Sequence, residues 1–353
     1  MSIRVLIVED SPIALTILKR ILDSSPDIEI VGTASTGQEG LALIPTSQPD
    51  VICTDFFMPK MNGLEFTAQV MVDYPRPILV VSASVQEDDT HRIFQLLEAG
   101  AVDILPKPKA GLDAENMLLK QALINKVRIL SGVKVFKKKQ PSANRQIRRQ
   151  TSVSASVHNN HKILAVGAST GGPLALQNLF NNLPRHFPLP IVCVQHISQG
   201  FLQGLLDWLG ATSKLSIRIA LAGERPEPGT IYFPPERQHL TLDHRGRFVY
   251  SQAIPGDGHC PSVTTLFSSV AQVYGRKAIG VLLSGMGRDG ADGMKAIADA
   301  GGMTIAQDEA TSVVFGMPKE AIALGAASQV LPMDAIAPAV LQLVDQESRY
   351  STK

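Results

Sequence analysis

Val5-Leu6-Ile7-Val8-Glu9-Asp10-Ser11-Pro12 places four apolar residues, two carboxylates, a hydroxyl and a proline in direct succession. The apolar run has the length of a short buried strand. Ser-Pro is a helix start, because the hydroxyl caps the first turn and proline occupies a position that needs no amide donor. Ile13, Ile17, Leu18, Ile21 and Leu22 then fall on one face of the helix so begun. The unit recurs, with further strands predicted at Ile28–Val31, Val51–Thr54, Ile78–Ser82 and Ala101–Leu105, each followed by an amphipathic segment. Five such units predict a flavodoxin-like doubly wound parallel sheet over residues 1–125, with function gathered at the carboxyl ends of its strands.

The same alternation resumes at Ile163–Gly167, Ile191–His196 and Ala278–Ser284, each followed by a helix. Thr230 to Ser251 alternates around Asp243-His244-Arg245-Gly246, which predicts a β-hairpin insertion. The fold class is therefore α/β twice over: the first doubly wound domain joined by a linker to a second doubly wound domain over residues 162–346, with a tail at 347–353. Charge marks the joint. Net charge is −8 over residues 1–125, +10 over 126–162 and −1 over 163–353. Residues 126–161, with Lys137-Lys138-Lys139 and Arg148-Arg149 and no sustained apolar period after Phe136, are expected to be a basic linker. A nucleic-acid arm is the competing explanation, disfavoured because no aromatic stacking residues accompany the bases.

A chain of 353 residues with 44% apolar and 18% charged residues is a multidomain globular protein, which excludes general disorder. The longest uncharged stretch, 163–184, carries Ser169, Thr170, Gln177 and three Asn, so no membrane insertion is expected. Only four apolar residues follow Arg4 before Glu9, too few for a signal peptide, and a cytoplasmic location is expected. The three cysteines, Cys53, Cys193 and Cys260, form no CxxC and support neither a disulfide framework nor a zinc site.

Glu9 and Asp10 end the first strand, Asp55 the third and Ser82 the fourth, and Lys107-Pro108 follows the fifth. Strand ends of a doubly wound sheet converge, and three carboxylates so placed need a divalent cation; oxygen-only ligands suit Mg²⁺. Val5 to Ser11, Asp55-Phe56-Phe57-Met58-Pro59-Lys60-Met61-Asn62-Gly63 and Leu105-Pro106-Lys107-Pro108 resemble the receiver domain of two-component response regulators. The resemblance implies phosphorylation of Asp55 by a histidine kinase, Mg²⁺ held by Asp10, Asp55 and the Phe57 carbonyl with Glu9 assisting, and phosphoryl oxygens bound by Ser82 and Lys107. Many receivers carry Phe or Tyr three residues before the lysine. This chain has Ile104, so a rotating aromatic switch is not implied.

In the second half, Gly167-Ala168-Ser169-Thr170-Gly171-Gly172 leaves a strand and enters a helix. Glycines beside a hydroxyl at such a turn suit an exposed nucleophile, an anion-binding loop or a plain tight turn, and the string alone leaves all three open. His196 and Asp289 leave two other apolar strand ends, so Ser169, His196 and Asp289 can act as nucleophile, base and orienting carboxylate, with Gly285-Met286-Gly287 supplying oxyanion donors. His259 is the rival base, whereas His91, His158, His161, His239 and His244 are expected to be solvated.

These stretches, with Gln307 to Lys319, resemble the protein-glutamate methylesterase domain of bacterial chemotaxis, and a receiver joined to that domain is the family's own architecture. The resemblance implies a Ser169, His196, Asp289 triad, the Met286 backbone in the oxyanion hole and no cofactor for the esterase. It also implies chemoreceptor methyl esters as substrate, glutamine deamidation as a second reaction, and no nucleic-acid partner. Cys260-Pro261-Ser262-Val263-Thr264, where the family usually has Arg-Pro-Ser-Val-Asp, is expected to alter the substrate-facing rim.

Overall fold

The computed structural model describes residues 2–82, 87–108, 114–135, 161–252 and 258–345. Its first half runs β1 (Ile3–Val8), α1 (Pro12–Asp23), β2 (Ile28–Ala34), α2 (Gly37–Ser47), β3 (Val51–Thr54), α3 (Gly63–Asp73), β4 (Ile78–Ser82), α4 (Glu87–Ala99), β5 (Asp103–Pro106) and α5 (Ala114–Ser131). The five strands hydrogen-bond in parallel in the order β2-β1-β3-β4-β5. Helices cover both faces, which is why β3 and β4 are buried at every position and read as unbroken apolar runs. Ser11 caps α1 as its sequence suggests, accepting from Ala14 N. The order reverses between β1 and β3, and the crevice opened there by the diverging helices holds Glu9, Asp10 and Asp55. Helix α5 continues to Ser131, past residue 125, where charge composition alone changes. The expected basic linker beyond residue 135 and the tail lie outside the described residues.

The second half runs β6 (Ile163–Ala168), α6 (Gly172–Asn181), β7 (Ile191–Gln195), α7 (Leu202–Thr212), β8 (Ser216–Ile219), β9 (Thr230–Phe233), β10 (Gln238–Leu242) and β11 (Phe248–Gln252). It continues through α8 (Val263–Tyr274), β12 (Ala278–Leu282), α9 (Ala291–Asp299), β13 (Met303–Gln307), α10 (Met317–Ala323), β14 (Gln329–Leu331) and α11 (Met333–Asp345). Seven strands form a parallel sheet in the order β14-β13-β12-β6-β7-β9-β8, and β10 and β11 pair separately as an antiparallel hairpin. The hairpin is shorter than the sequence suggests, because Thr230–Phe233 joins the main sheet as β9. The chain departs from β6 in both directions, so the switch point lies between β6 and β12, beside the turns that carry Ser169 and Gly285.

The two domains pack together. Helix α4 lies against α6 and α7, where the Phe94 ring stacks on Trp208 at 5.6 Å between centroids. Glu98 accepts hydrogen bonds from Trp208 Nε1 at 3.1 Å and Gln177 Nε2 at 3.0 Å. Buried side chains of both domains, Phe94 and Leu97 with Leu205 and Trp208 among them, belong to one continuous apolar cluster. Among the described residues no helix is long and apolar enough to cross a membrane.

Candidate active site and phosphoacceptor pocket

In the first domain, the end of β1 and the end of β3 bring carboxylate oxygens of Glu9, Asp10 and Asp55 within 4.8 Å of one another. Lys107, carried in just after β5, reaches Asp55 Oδ2 at 2.7 Å and Glu9 Oε1 at 2.8 Å. Burial pushes the Glu9 carboxyl above its usual pKa, and the nearby Asp55 charge adds to this while Lys107 opposes it. The lysine is held above its ordinary value because its two carboxylate partners outweigh its own desolvation. Ser82 Oγ is fully buried without a hydrogen-bond partner among the described residues. A crowded set of oxygen donors, an unpaired hydroxyl and an ammonium fit Mg²⁺ with a phosphoryl group, the cation offsetting the cost of holding buried, mutually repelling carboxylates. Phe57 follows at the rim, with its side chain half exposed and packed edge-on to Phe56 at 4.6 Å. Ile104 is buried in the apolar core, with no aromatic ring to rotate.

In the second domain, Ser169 leaves β6 in a turn fixed from several sides. Its N–H donates to Ser284 O at 3.0 Å, and its carbonyl accepts from Gly172 N and Gln195 Nε2, both at 2.8 Å. Gly171 stands at φ +76°, where a Cβ would also lie 2.5 Å from the Val313 Cβ, so neither backbone nor space admits a side chain. A Cβ on Gly285 would come within 2.8 Å of the Ser169 Cβ, which shows how closely the β12 turn approaches the serine. Gln195 also donates to the His196 carbonyl at 2.9 Å, tying the two strand ends together.

His196 follows β7, and its Nε2 lies 2.7 Å from Asp289 Oδ2. The carboxylate fixes the proton on Nε2 and leaves Nδ1 with a lone pair. Nδ1 is buried and unpartnered, and Ser169 Oγ makes no hydrogen bond among the described residues. His196 and Asp289 are therefore paired, while Ser169 Oγ and His196 Nδ1 both lack a hydrogen-bond partner among the described residues. Met286 is half exposed, and its N–H makes no hydrogen bond among the described residues, as an oxyanion donor requires.

Asp289 carries more than the histidine. Oδ2 also accepts from Val263 N at 2.8 Å, and Oδ1 from Ser262 Oγ and Thr264 N, each at 2.9 Å. It thus closes the amino end of α8, and α9, the helix it precedes, takes no side-chain cap. Burial opposes the charged form, yet His196 and the two backbone N–H groups hold the Asp289 carboxyl far below the usual carboxylate range.

One expectation needs correction. Ser262, Val263 and Thr264 all bind Asp289, and Thr264 Oγ1 also accepts from Gly290 N at 2.7 Å. Cys260 and Pro261 line one cleft with Ile197, Gln199 and Pro235, and Ser262 and Thr264 line a second with His259 and Asp289. The remaining histidines, however, are not all solvated. His161 and His239 are buried, and His239 Nδ1 accepts Ser262 N at 3.1 Å, because the inner face of the hairpin packs beneath α8. His244 is exposed at the hairpin turn, and the His91 and His158 side chains lie outside the described residues. Gln195 and Ser284 have no role of their own in the sequence reading, because nothing in a polar residue at an apolar strand end says what it will bind. Ser284 Oγ donates to Thr170 O at 2.8 Å and accepts from Val314 N at 2.9 Å.

Comparison with known proteins agrees with this geometry. The family described as CheB methylesterase matches residues 164–340, and the response regulator receiver domain matches residues 5–118. A protein-glutamate methylesterase/protein-glutamine glutaminase of Nitrosospira multiformis is 41% identical over 352 residues, covering 97% of each chain. One of the same description from Syntrophus aciditrophicus is 40% identical over 348 residues, covering 97% of this chain and 98% of its own. The crystal structure of the Thermotoga maritima CheB methylesterase catalytic domain aligns at TM-score 0.50 and 39% identity, covering 53% of this chain and 98% of that one.

Proposed function

The chain belongs to the CheB methylesterase family, and from that premise we propose that it is a protein-glutamate methylesterase and protein-glutamine glutaminase controlled by phosphorylation of its own receiver domain. One observation carries the catalytic assignment: the His196 Nε2–Asp289 pair, with Nδ1 buried and unpaired beside the strand end that bears Ser169. Ser169 Oγ attacks the γ-carbonyl of a methylated glutamate, and His196 Nδ1 takes the hydroxyl proton. Asp289 stabilises the imidazolium so formed, and the Met286 N–H receives the oxyanion. The proton passes to the departing methoxide, releasing methanol and leaving an acyl-enzyme. Water deprotonated by the same nitrogen then frees the carboxylate and Ser169. Glutamine follows the same course, with ammonia as the leaving group.

Asp55 is the phosphoacceptor, Glu9, Asp10, Asp55 and the Phe57 carbonyl hold Mg²⁺, and Ser82 and Lys107 bind the phosphoryl oxygens. The cation supplies charge neutralisation for transfer onto a carboxylate. A histidine kinase is the phosphodonor and the methylated helices of chemoreceptors are the substrate, met in the cytoplasm. The docked receiver denies such helices access to Ser169 until phosphorylation weakens the α4–α7 contact. Methanol release from methylated receptor, with and without phosphodonor and Mg²⁺, tests the reading. Absence of release under both conditions refutes it.

A further inference from the structure

Asp289 selects His196 over His259 as its partner, yet His259 lies flat against that partner. The two imidazole rings are 4.2 Å apart between centroids and only 7° from parallel. Nitrogen and oxygen atoms of His196, His259 and Asp289 all lie within 4.8 Å of one another. The Asp289 oxygens, however, already accept from His196, Ser262, Val263 and Thr264, so His259 has no carboxylate left to orient it as a base.

The segment that carries His259 is anchored. Three residues on, Ser262 donates through Oγ to Asp289 and through its backbone N–H to the buried His239 Nδ1 at 3.1 Å. The result is a layered arrangement: the His196 and Asp289 side chains are 9% and 11% exposed, and His259 sits outside them with its outer edge in solvent. We propose that His259 is a positioning residue for the esterase reaction, its ring serving as a plate that holds the His196 imidazole in plane and bears against it when that imidazole becomes a cation. This rests on the assignment of His196 as the base.

The chemistry suits the position. His196 is neutral when it accepts the Ser169 proton and cationic in the tetrahedral intermediate, and a flat π face beside a cation stabilises it. Partial burial lowers the His259 pKa, His196 and Lys126 act in the same direction and Asp289 opposes, which favours the neutral form of the plate. A ring that stabilises a species formed only during the reaction raises kcat and leaves ground-state binding alone.

The test uses the full chain, saturated with phosphodonor and Mg²⁺, and measures methanol release. His259→Ala should lower kcat about 3- to 30-fold, the fold-range of a cation–π contact from exposed to desolvated settings, with KM within about twofold. His259→Phe, which keeps a flat ring and removes both nitrogens, should restore kcat to within about threefold of wild type. An unchanged thermal midpoint of the second domain, with Asp55 labelling for the first, reports that each variant is folded. An unchanged kcat in His259→Ala, or His259→Phe no faster than His259→Ala, overturns the proposal. Activity surviving His196→Ala would instead overturn the catalytic assignment beneath it.

Discussion

Asp103 Oδ2 accepts a hydrogen bond of 2.8 Å from Thr170 Oγ1, joining the last strand of the receiver to the residue next to Ser169. The same carboxylate pairs with Lys126 of α5. Four residues beyond Asp103, Lys107 grips Asp55 and Glu9. One short strand therefore links Asp55 and Glu9 at one end to the Ser169–Thr170 turn at the other. On the proposed reading, a phosphoryl group on Asp55 would give Lys107 a new partner at the end of this strand opposite Thr170.

Asp103→Ala should raise the unphosphorylated esterase rate. The contact is a charge-assisted hydrogen bond in a partly buried interface, and losing about 1.5 kcal/mol of docking is worth roughly tenfold in the undocked population. Methanol release without phosphodonor is the measurement, with Asp55 labelling as the check on the receiver. A rate no higher than wild type would remove Asp103 from the inhibitory contact.

Ser169→Ala should abolish nearly all ester hydrolysis, by about 10³-fold or more, with the thermal midpoint little changed. The turn is held by backbone bonds from Ser169 N and O, which alanine keeps. Substantial activity in the folded variant would reject Ser169 as nucleophile.

Asp289→Asn should cost both rate and stability. Its amide cannot accept the full set of four donors, so about 10³- to 10⁴-fold in kcat and roughly 1 to 2 kcal/mol of unfolding free energy are expected to be lost. The pH dependence has a definite sign. The folded carboxyl is held below its unfolded value near 3.9, so its contribution is complete above that value and is lost as pH falls through the folded one. Denaturant melts of wild type and Asp289→Asn should differ by a constant amount at pH 6 to 8 and begin to converge only as pH falls below about 4. Equal stability at neutral pH would contradict the anchoring of α8 by Asp289.

The parts of this molecule legible in its sequence are those set by period and by strand ends. The first sheet and strands β6, β7 and β12 of the second follow from apolar runs alternating with amphipathic helices, whereas β8, β13 and β14 are not read from the sequence and β9 is assigned there to the hairpin. Glu9, Asp55, Lys107, Ser169, His196 and Asp289 stand where those runs stop. What tertiary packing decides was not legible. No spacing says that Asp289 closes α8, 26 residues behind Val263, or that Nε2 faces the carboxylate. The burial of His239 likewise depends on the hairpin folding under α8, a contact between segments far apart in sequence.

Asp55→Asn should remove acyl-phosphate labelling and with it phosphodonor activation, leaving the basal rate of the docked enzyme. Ser82→Ala should retain labelling at a reduced rate, because it deletes one buried hydroxyl and no charge. Labelling of Asp55→Asn at the wild-type level would place the acceptor elsewhere.

Trp208, the chain's single tryptophan, offers a direct reading of the interface. Its indole is 2% exposed, stacks on Phe94 of the receiver and donates to Glu98 at 3.1 Å. All three conditions depend on docking, so separation of the domains would transfer one face of the indole from an apolar contact to water. Phosphodonor with Mg²⁺ should therefore shift the emission of the wild-type protein to longer wavelength, leave Asp55→Asn unchanged and reproduce part of the shift in unphosphorylated Asp103→Ala. Emission that stays fixed while Asp55 is stoichiometrically labelled would mean that α4 and α7 remain packed, and control of Ser169 would then have to act within the docked arrangement.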